Sequence, residues 1–422
     1  MDDTFDSAKL RGASDRGAEW VDYEEARALI LSALKTRPPE SVLLAEALGR
    51  TLARDIKARE NIPPFTKATM DGYAVRAKDV RTAGEDAAVE LEVLEDLRAG
   101  RVSRRSVGRG QAVRIMTGAP LPKGADGVVM VEDTERSGGR VKIRRAIRPA
   151  DNIGQAGEDL KKGELVLEQG AVIGPAETGM LAAAGLARVP VVSRPKLAVI
   201  ATGDEIVEPG ERKAASQIRN SNGPALLAMA LRAGADAKYL GIARDRTSSL
   251  DARIRRAVGA DILVLSGGVS VGDYDLVKDE LLASGVRPVF WRIRIKPGKP
   301  VFFGRRGSQI VFGLPGNPTS AMVTFLLFVQ PVIERLLGRT NPGPRRGRAV
   351  LMGDIVLKPG LTQFLRGVLG AEGPTLTVNP YPDQKSGVLR SMARSQVLIV
   401  VPADVSRLGK GRNVEILFMN GI

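Results

Sequence analysis

From Pro195 onward, short apolar runs alternate with stretches whose apolar residues recur at helical spacing. Residues 197–200, 239–243, 262–265, 289–295 and 311–314 read as buried strands. Helices are predicted over 220–233, opened by Asn-Ser-Asn-Gly-Pro and stopped by Gly234, over 250–258 and over 276–283. A last apolar helix begins at Thr319, where Asn317 stands as cap and Pro318 at the first turn, leaving amides free to face an anion. Strands that alternate with helices in this way predict a parallel α/β sheet.

The chain before this region has a different rhythm. Ala26, Leu29, Ile30, Ala33 and Leu34 fall on one helical face. After the break at Pro38-Pro39, a second helix is predicted from Ser41 to Gly49, so that a helical pair leads into the stiff linker Asn61-Ile62-Pro63-Pro64. The β-prone runs 73–75, 89–94, 112–116, 127–131 and 141–147, separated by Gly, Pro and Asp, predict a small barrel or sandwich. A strand over 163–173 and an Ala-rich helix over 175–185 come next. Beyond the Pro/Gly/Arg-rich linker 341–348, strands near 396–401 and 414–418 predict a compact β-barrel of about 75 residues, at the small end for a domain.

The expected organisation is multidomain α/β plus β. A loose tail spans 1–19, and a discontinuous mixed helical domain spans 20–62 and 159–193. A β domain is inserted at 63–158, a three-layer α/β domain spans 194–342, and a C-terminal β-barrel spans 343–422. A chain of 422 residues is too long for one core, in keeping with this division.

Composition narrows the chemistry. The chain has no cysteine and no histidine, which removes disulfides, thiolate or imidazole zinc sites, cysteine nucleophiles and histidine-based acid–base schemes. Carboxylates, Lys, Arg, hydroxyls, backbone amides and a borrowed hard cation such as Mg²⁺ remain. The balance of 63 basic to 48 acidic residues gives a formal charge of +15. No basic block is long and aromatics are only 4%, too few for single-strand stacking platforms, so a small polyanionic substrate is expected rather than nucleic acid. The longest apolar run, 321–333, is interrupted by Gln330-Pro331, and residues 1–19 lack a signal-peptide core; a cytoplasmic protein with no membrane contact is expected.

Several predicted strands end in charged or glycine-rich loops. The stretch Asp261 to Asp275 reads DILVLSGGVSVGDYD: a buried strand, a Ser-Gly-Gly turn and two carboxylates. Glycines there let amides approach an anion, as at the carboxyl end of open α/β sheets. Taken singly, such a loop is equally well a plain solvated turn. Glu205, Asp245, Asp275, Lys296 and the 315–318 turn together predict a metal-plus-phosphate site. Thr117, in the sharp turn Met116-Thr117-Gly118, offers a hydroxyl or is merely structural.

The motifs MDGYAVR, RIMTGAP, GED, ATGDE, SGGVSVGDYD, KPGKP, LPGNP and the pair FLRG and QKSG succeed one another through residues 20–422. In this order they resemble molybdopterin molybdenumtransferase, the family of MoeA and the gephyrin E domain. The resemblance implies an elongated homodimer of four-domain subunits whose active site is shared between subunits. It implies Mg²⁺-dependent hydrolysis of adenylyl-molybdopterin and insertion of molybdate into the dithiolene, releasing AMP and molybdenum cofactor.

Carried over by motif, Asp71, Thr117, Asp159, Glu205, Asp245 and Asp275 are the implied catalytic groups, with Asp245 and Asp275 on Mg²⁺. Lys296, Lys299, Arg366 and Ser386 are implied to hold molybdate. Thr202, Gly203, Ser266, Gly267, Gly268 and the Pro315-Gly316-Asn317-Pro318 turn are implied to contact the pterin substrate. Relatives often read Phe-Asp-x-Ser where this chain has Phe65-Thr66-Lys67-Ala68, an arginine at Gly154, and a lysine at Arg292. Two other readings stand beside this one. An adenylyltransferase would need only residues 195–340, and a gephyrin-like scaffold would need no chemistry.

Overall fold

The computed structural model describes residues 20–32, 34–268 and 276–419. The tail 1–19 and the pair Asp273 and Asp275 lie outside the described residues. The chain divides into two compact units, one made of Ser41–Leu48 with Arg54–Pro190 and the other of the rest.

The smaller unit is built on six strands: β1 (Gly72–Val75), β2 (Val89–Leu97), β3 (Gln111–Ile115), β4 (Gly127–Met130), β5 (Thr134–Ser137) and β6 (Arg140–Ile143). Their order is β4-β1-β3-β2-β6-β5, with β2 and β3 parallel and the other neighbours antiparallel. Alternation sends Ala74, Val113 and Val128 to one face and Tyr73, Ala112 and Val129 to the other. Each face has its own core. The expected barrel or sandwich is therefore one open six-stranded sheet covered on both sides.

The helix expected over 41–49 does not form. Pro39–Leu43 is extended and Leu44–Glu46 makes a single 3₁₀ turn. Leu44 N–H donates to Ala187 O at 3.0 Å and Arg188 Nη2 to Ser41 O at 2.6 Å. These distant partners satisfy the backbone and override the local helical spacing. The strand expected over 163–173 shrinks to Leu165–Leu167.

In the larger unit the α/β sheet consists of β7 (Lys196–Thr202), β8 (Asp236–Ala243), β9 (Ile262–Ser266), β10 (Arg287–Arg292), β12 (Pro300–Arg306) and β13 (Gln309–Leu314), with the short β11 (Ile295–Lys296) between β10 and β12. Their order is β8-β7-β9-β13-β12-β10. The first four are parallel, and β12 and β10 complete the sheet antiparallel. Helix α1 (Asn222–Ala233) and the helix that starts as α4 (Pro318–Thr324) cover one face, where Leu226 and Val323 share a core with Val199, Val264 and Phe312. Helices α2 (Thr247–Arg256) and α3 (Leu276–Ala283) cover the other, packing Leu250, Ile254 and Leu281 on Ala198, Ile200 and Leu263. These are the three layers expected. The helix Tyr23–Leu31 joins the same unit through Tyr23, whose ring meets Phe328 and Phe364 edge-on at 5.9 and 5.0 Å.

The helix from Pro318 runs to Leu336 and passes through a π turn at Phe325–Val329. Pro331 has no N–H, so the carbonyl four residues back loses its partner, and a π turn absorbs the defect. By length and composition this helix could span a membrane, but 83% of its most apolar window is buried, which marks it as a core helix.

Five further strands, β14 (Arg346–Leu351), β15 (Thr362–Glu372), β16 (Thr375–Pro380), β17 (Val397–Val401) and β18 (Asn413–Phe418), run in the order β15-β16-β14-β18-β17. Since β17 pairs back onto β15, they close the expected barrel around Leu351, Leu365, Val378, Ile399 and Ile416. The two-residue β11 adds onto β15 in parallel, Lys296 opposite Gln363.

Candidate functional site

β8 lies on one side of β7 and β9 on the other, so strand order reverses between β7 and β9. A crevice opens at the carboxyl ends of such strands. Thr202 and Ser266 end the two strands, and Thr202 Oγ1 donates to Ser266 O at 3.3 Å. Gly267 comes next at φ +100°, and a Cβ there would lie 2.6 Å from Thr202 O and 2.7 Å from Thr202 Oγ1. Only glycine fits that backbone. Gly268, also at positive φ, packs against Val277 of α3.

Asn222 fastens this turn to the next one. Its Nδ2 donates to Ser266 Oγ at 2.9 Å and to Gly316 O at 2.8 Å, while Ser266 Oγ reaches Pro315 O at 3.3 Å. A Cβ on Gly316 would meet Gly267 Cα at 3.6 Å, so the Pro315-Gly316 and Ser266-Gly267 turns lie side by side. The segment 220–224 was expected only to cap α1. Asn220 does so, its Oδ1 accepting Gly223 N–H at 3.0 Å, but Asn222 is turned into the crevice. An amide two residues past a good cap was the one signal available in the sequence.

At the β8 end of this edge lie the acids. Glu205 and Asp245 are exposed. Asp204 N–H donates to Asp245 Oδ2 and Asp245 N–H to Asp204 Oδ1, each at 3.2 Å. Residue type alone did not single out Asp204. Among the described residues no three acidic side chains converge on a metal position.

At the β13 end lie the bases. The Lys296-Pro297-Gly298-Lys299 loop packs on the helix from Pro318, where a Cβ on Gly298 would strike Thr324. Lys296 and Lys299 are exposed. Thr319 N–H donates to Ser386 O at 3.1 Å, so the 383–388 loop seats on the first turn of α4. That first turn thus has less free N–H than expected, and Asn317, though at the N-cap position, makes no capping bond with its side chain. Arg366 is 1% exposed and reaches the same loop from β15. Its Nε donates to Ser391 Oγ at 3.1 Å and its Nη2 to Asp383 O at 3.3 Å and Lys385 O at 3.2 Å. Burial pushes its pKa down to about 10, still charged at neutral pH.

The smaller unit carries its own pair. Asp71 Oδ1 accepts both Thr117 N–H and Thr117 Oγ–H, and these bonds hold its carboxyl below the usual range. Asp159 is exposed, in a loop pinned by its N–H on Ile62 O at 3.1 Å. Gly154 pairs with Lys67 across two short antiparallel strands, and a Cβ on Gly154 would lie 2.7 Å from Glu158 Oε1, which Lys67 Nζ approaches at 4.0 Å. Glu158 therefore fills the space a larger residue 154 would use.

Comparison with known proteins covers almost the whole chain. The model of the MoeA N-terminal region (domain I and II) matches residues 21–185, that of a probable molybdopterin binding domain residues 198–335, and that of the MoeA C-terminal region (domain IV) residues 348–419. The molybdopterin molybdenumtransferase of Bacillus subtilis (strain 168) is 35% identical over 404 residues, 94% of each chain. That of Staphylococcus aureus (strain Mu50) is 34% identical over 401 residues, 94% of this chain and 95% of its own. The crystal structure of the molybdopterin biosynthesis MoeA protein from Pyrococcus horikoshii OT3 superposes with a TM-score of 0.80 at 32% identity, covering 95% of this chain and 100% of that one.

Proposed function

Because the chain belongs to the MoeA family of molybdopterin molybdenumtransferases, we propose that it hydrolyses adenylyl-molybdopterin and inserts molybdate into the freed dithiolene. The carrying observation is the order of groups along one sheet edge. Acids stand after β7 and β8, the glycine floor lies between β7, β9 and β13, and the basic loop rests on α4.

Gly267, Gly268 and the Pro315-Gly316-Asn317-Pro318 turn cradle the pterin phosphate, with Thr202, Gly203 and Ser266 beneath. Asp245 and Asp275 would hold Mg²⁺. Among the described residues the fit rests on the oxygen donor Asp245 Oδ1, which the reciprocal pair with Asp204 leaves outside its two hydrogen bonds. Mg²⁺ commonly takes one or two carboxylates together with substrate phosphates and water. When bound it neutralises phosphate charge and polarises the scissile phosphoanhydride. Glu205 orients a water for attack at the adenylyl phosphorus; the bond to the pterin-side oxygen breaks and AMP leaves. Lys296, Lys299 and Ser386 hold molybdate, and the two thiol protons depart with one of its oxygens as water. Arg366 keeps Ser386 in place through the loop carbonyls it binds.

Asp71, Thr117 and Asp159 complete the site of a second copy in a cytoplasmic homodimer. Purified protein with Mg²⁺, molybdate and adenylyl-molybdopterin should release AMP and yield molybdenum cofactor; no AMP under those conditions overturns the proposal. An adenylyltransferase alone would not explain matches to all three family models.

A further inference from the structure

Adjacent parallel strands β7 and β8 leave the sheet together, Thr202 opposite Ala243. The pairing steps from Val199–Tyr239 to Ala201–Ile242, a bulge in β8 at Leu240-Gly241. Gly241 sits at φ +91°, where a Cβ would meet Arg253 Nη1 at 2.5 Å, and Arg253 donates to Leu240 O. Bulges of this kind bend a strand and re-aim the side chains beyond them. Arg244, three residues past Gly241, is the side chain re-aimed here.

Its guanidinium crosses to the neighbouring loop. Nη1 lies 3.3 Å from Gly203 O, 3.2 Å from Asp204 O and 2.9 Å from Ile206 O. The one carbonyl skipped, Glu205 O, accepts Ile218 N–H at 2.8 Å. Every backbone carbonyl from Gly203 to Ile206 is thereby engaged. A Cβ on Gly203, at φ +141°, would collide with the Glu205 carboxylate, so that side chain folds back over the loop Arg244 grips. Arg244 N–H is itself fixed on Ser249 Oγ at 3.0 Å.

We infer that Arg244 is a positioning residue for the reaction proposed above: it fixes the Glu205 loop by its carbonyls and keeps Asp204 and Asp245 in their reciprocal pair. Three carboxylates on two short loops repel one another, and a cation set among the carbonyls behind them lowers that repulsion. All three contacts come from Nη1, and the weakly hydrated guanidinium settles among these carbonyls more readily than an ammonium, which is compact and strongly hydrated. A residue that merely braced the fold would change stability and leave the surviving sites unaltered.

The inference rests on the proposed function, and the test separates the two. Arg244→Lys, Arg244→Ala and the control Arg255→Ala, an exposed arginine paired with Asp251 on α2, are compared with the parent chain. The measurements are AMP release against substrate and Mg²⁺ concentration, melting temperature, and amide exchange at Asp204 and Asp245. In Arg244→Ala, kcat should fall by about tenfold or more. Half-saturating Mg²⁺ should rise severalfold, exchange at both amides should accelerate, and added guanidinium should restore part of the rate. Arg244→Lys should fall between, and Arg255→Ala should match the parent. A lower melting temperature with parental kcat and Mg²⁺ dependence overturns the inference; should the alanine variant fail to fold, Arg244→Lys is read by the same criterion. If the parent itself releases no AMP, the functional proposal fails. Exchange then decides: unchanged rates at Asp204 and Asp245 in Arg244→Lys overturn the positioning role.

Discussion

One oxygen of Asp71 takes both polar hydrogens that Thr117 offers, the backbone N–H at 2.7 Å and the hydroxyl at 2.8 Å. The backbone bond is the larger cause of the depressed carboxyl pKa and the hydroxyl bond the next. With the folded pKa below the unfolded one, the pair contributes above the unfolded value, near 3.9 for Asp, and its contribution fades as pH falls through the folded value. Thr117→Val removes one donor and keeps the other. The Asp71 titration monitored by carboxyl-carbon NMR should then move part of the way back toward the usual range. Asp71→Asn should fold like the parent and slow AMP release by about tenfold or more; a parental rate would show that Asp71 takes no part in turnover.

Gly267 and Gly316 are neighbours with opposite tolerances. At Gly267 positive φ and the 2.6 Å approach to Thr202 O both forbid a side chain, whereas at Gly316 an added Cβ meets only Gly267 Cα at 3.6 Å. Gly267→Ala should destabilise by about 2 kcal/mol or more, and Gly316→Ala should stay within about 1 kcal/mol. Urea unfolding checks the pair, and equal effects would show the two turns do not differ in this way.

Arg366→Ala would take from Asp383 O and Ser391 Oγ the guanidinium donor each has inside the protein, and would leave Lys385 O only the longer bond from Val388 N–H at 3.3 Å. A cost of about 3 kcal/mol is expected from such a loss. KM for molybdate should rise with it as the Ser386 loop loosens. Lys296→Ala, on an exposed side chain, should raise KM for molybdate with little change in melting temperature. The two variants together separate holding the loop from holding the anion.

Glu334 supplies a pH probe of the larger unit. Burial raises its carboxyl pKa, opposed by Gly343 N–H at 2.6 Å and by Arg339 and Gln330. Because the folded pKa lies above the unfolded one, near 4.3 for Glu, its contribution is full below the unfolded value and is lost as pH rises through the folded one. Glu334→Gln should remove this slope. Chemical unfolding at several pH values would show the parent losing stability relative to the variant as pH rises; parallel profiles would contradict the raised pKa.

The α/β rhythm was legible because buried parallel strands are continuous apolar runs and their helices carry clear start and stop residues. Strand β12 was missed since Val301-Phe302-Phe303 comes after a proline and glycine loop that reads as an ending. The 41–49 stretch misled for the opposite reason: its spacing is helical, but Ala187 and Arg188 provide the partners its backbone uses. The site residues named by type were mostly charged ends of strands. Asn222 and Arg244 act by bonding across loops, and bonding partners distant in sequence leave no local pattern to read.

The two-residue strand β11 has a mechanical consequence. Lys296 belongs to the loop that rests on α4, yet its backbone is stitched to Gln363 of the closed barrel, three residues from Arg366. Strand spacing sets that interval at about 10 Å along the ladder. A shear between the α/β sheet and the barrel would have to tear this seam before the lysine could drift from the arginine's loop. The cationic end of the crevice is thus calibrated like marks on a ruler, by hydrogen-bonded backbone rather than by the lean of flexible side chains.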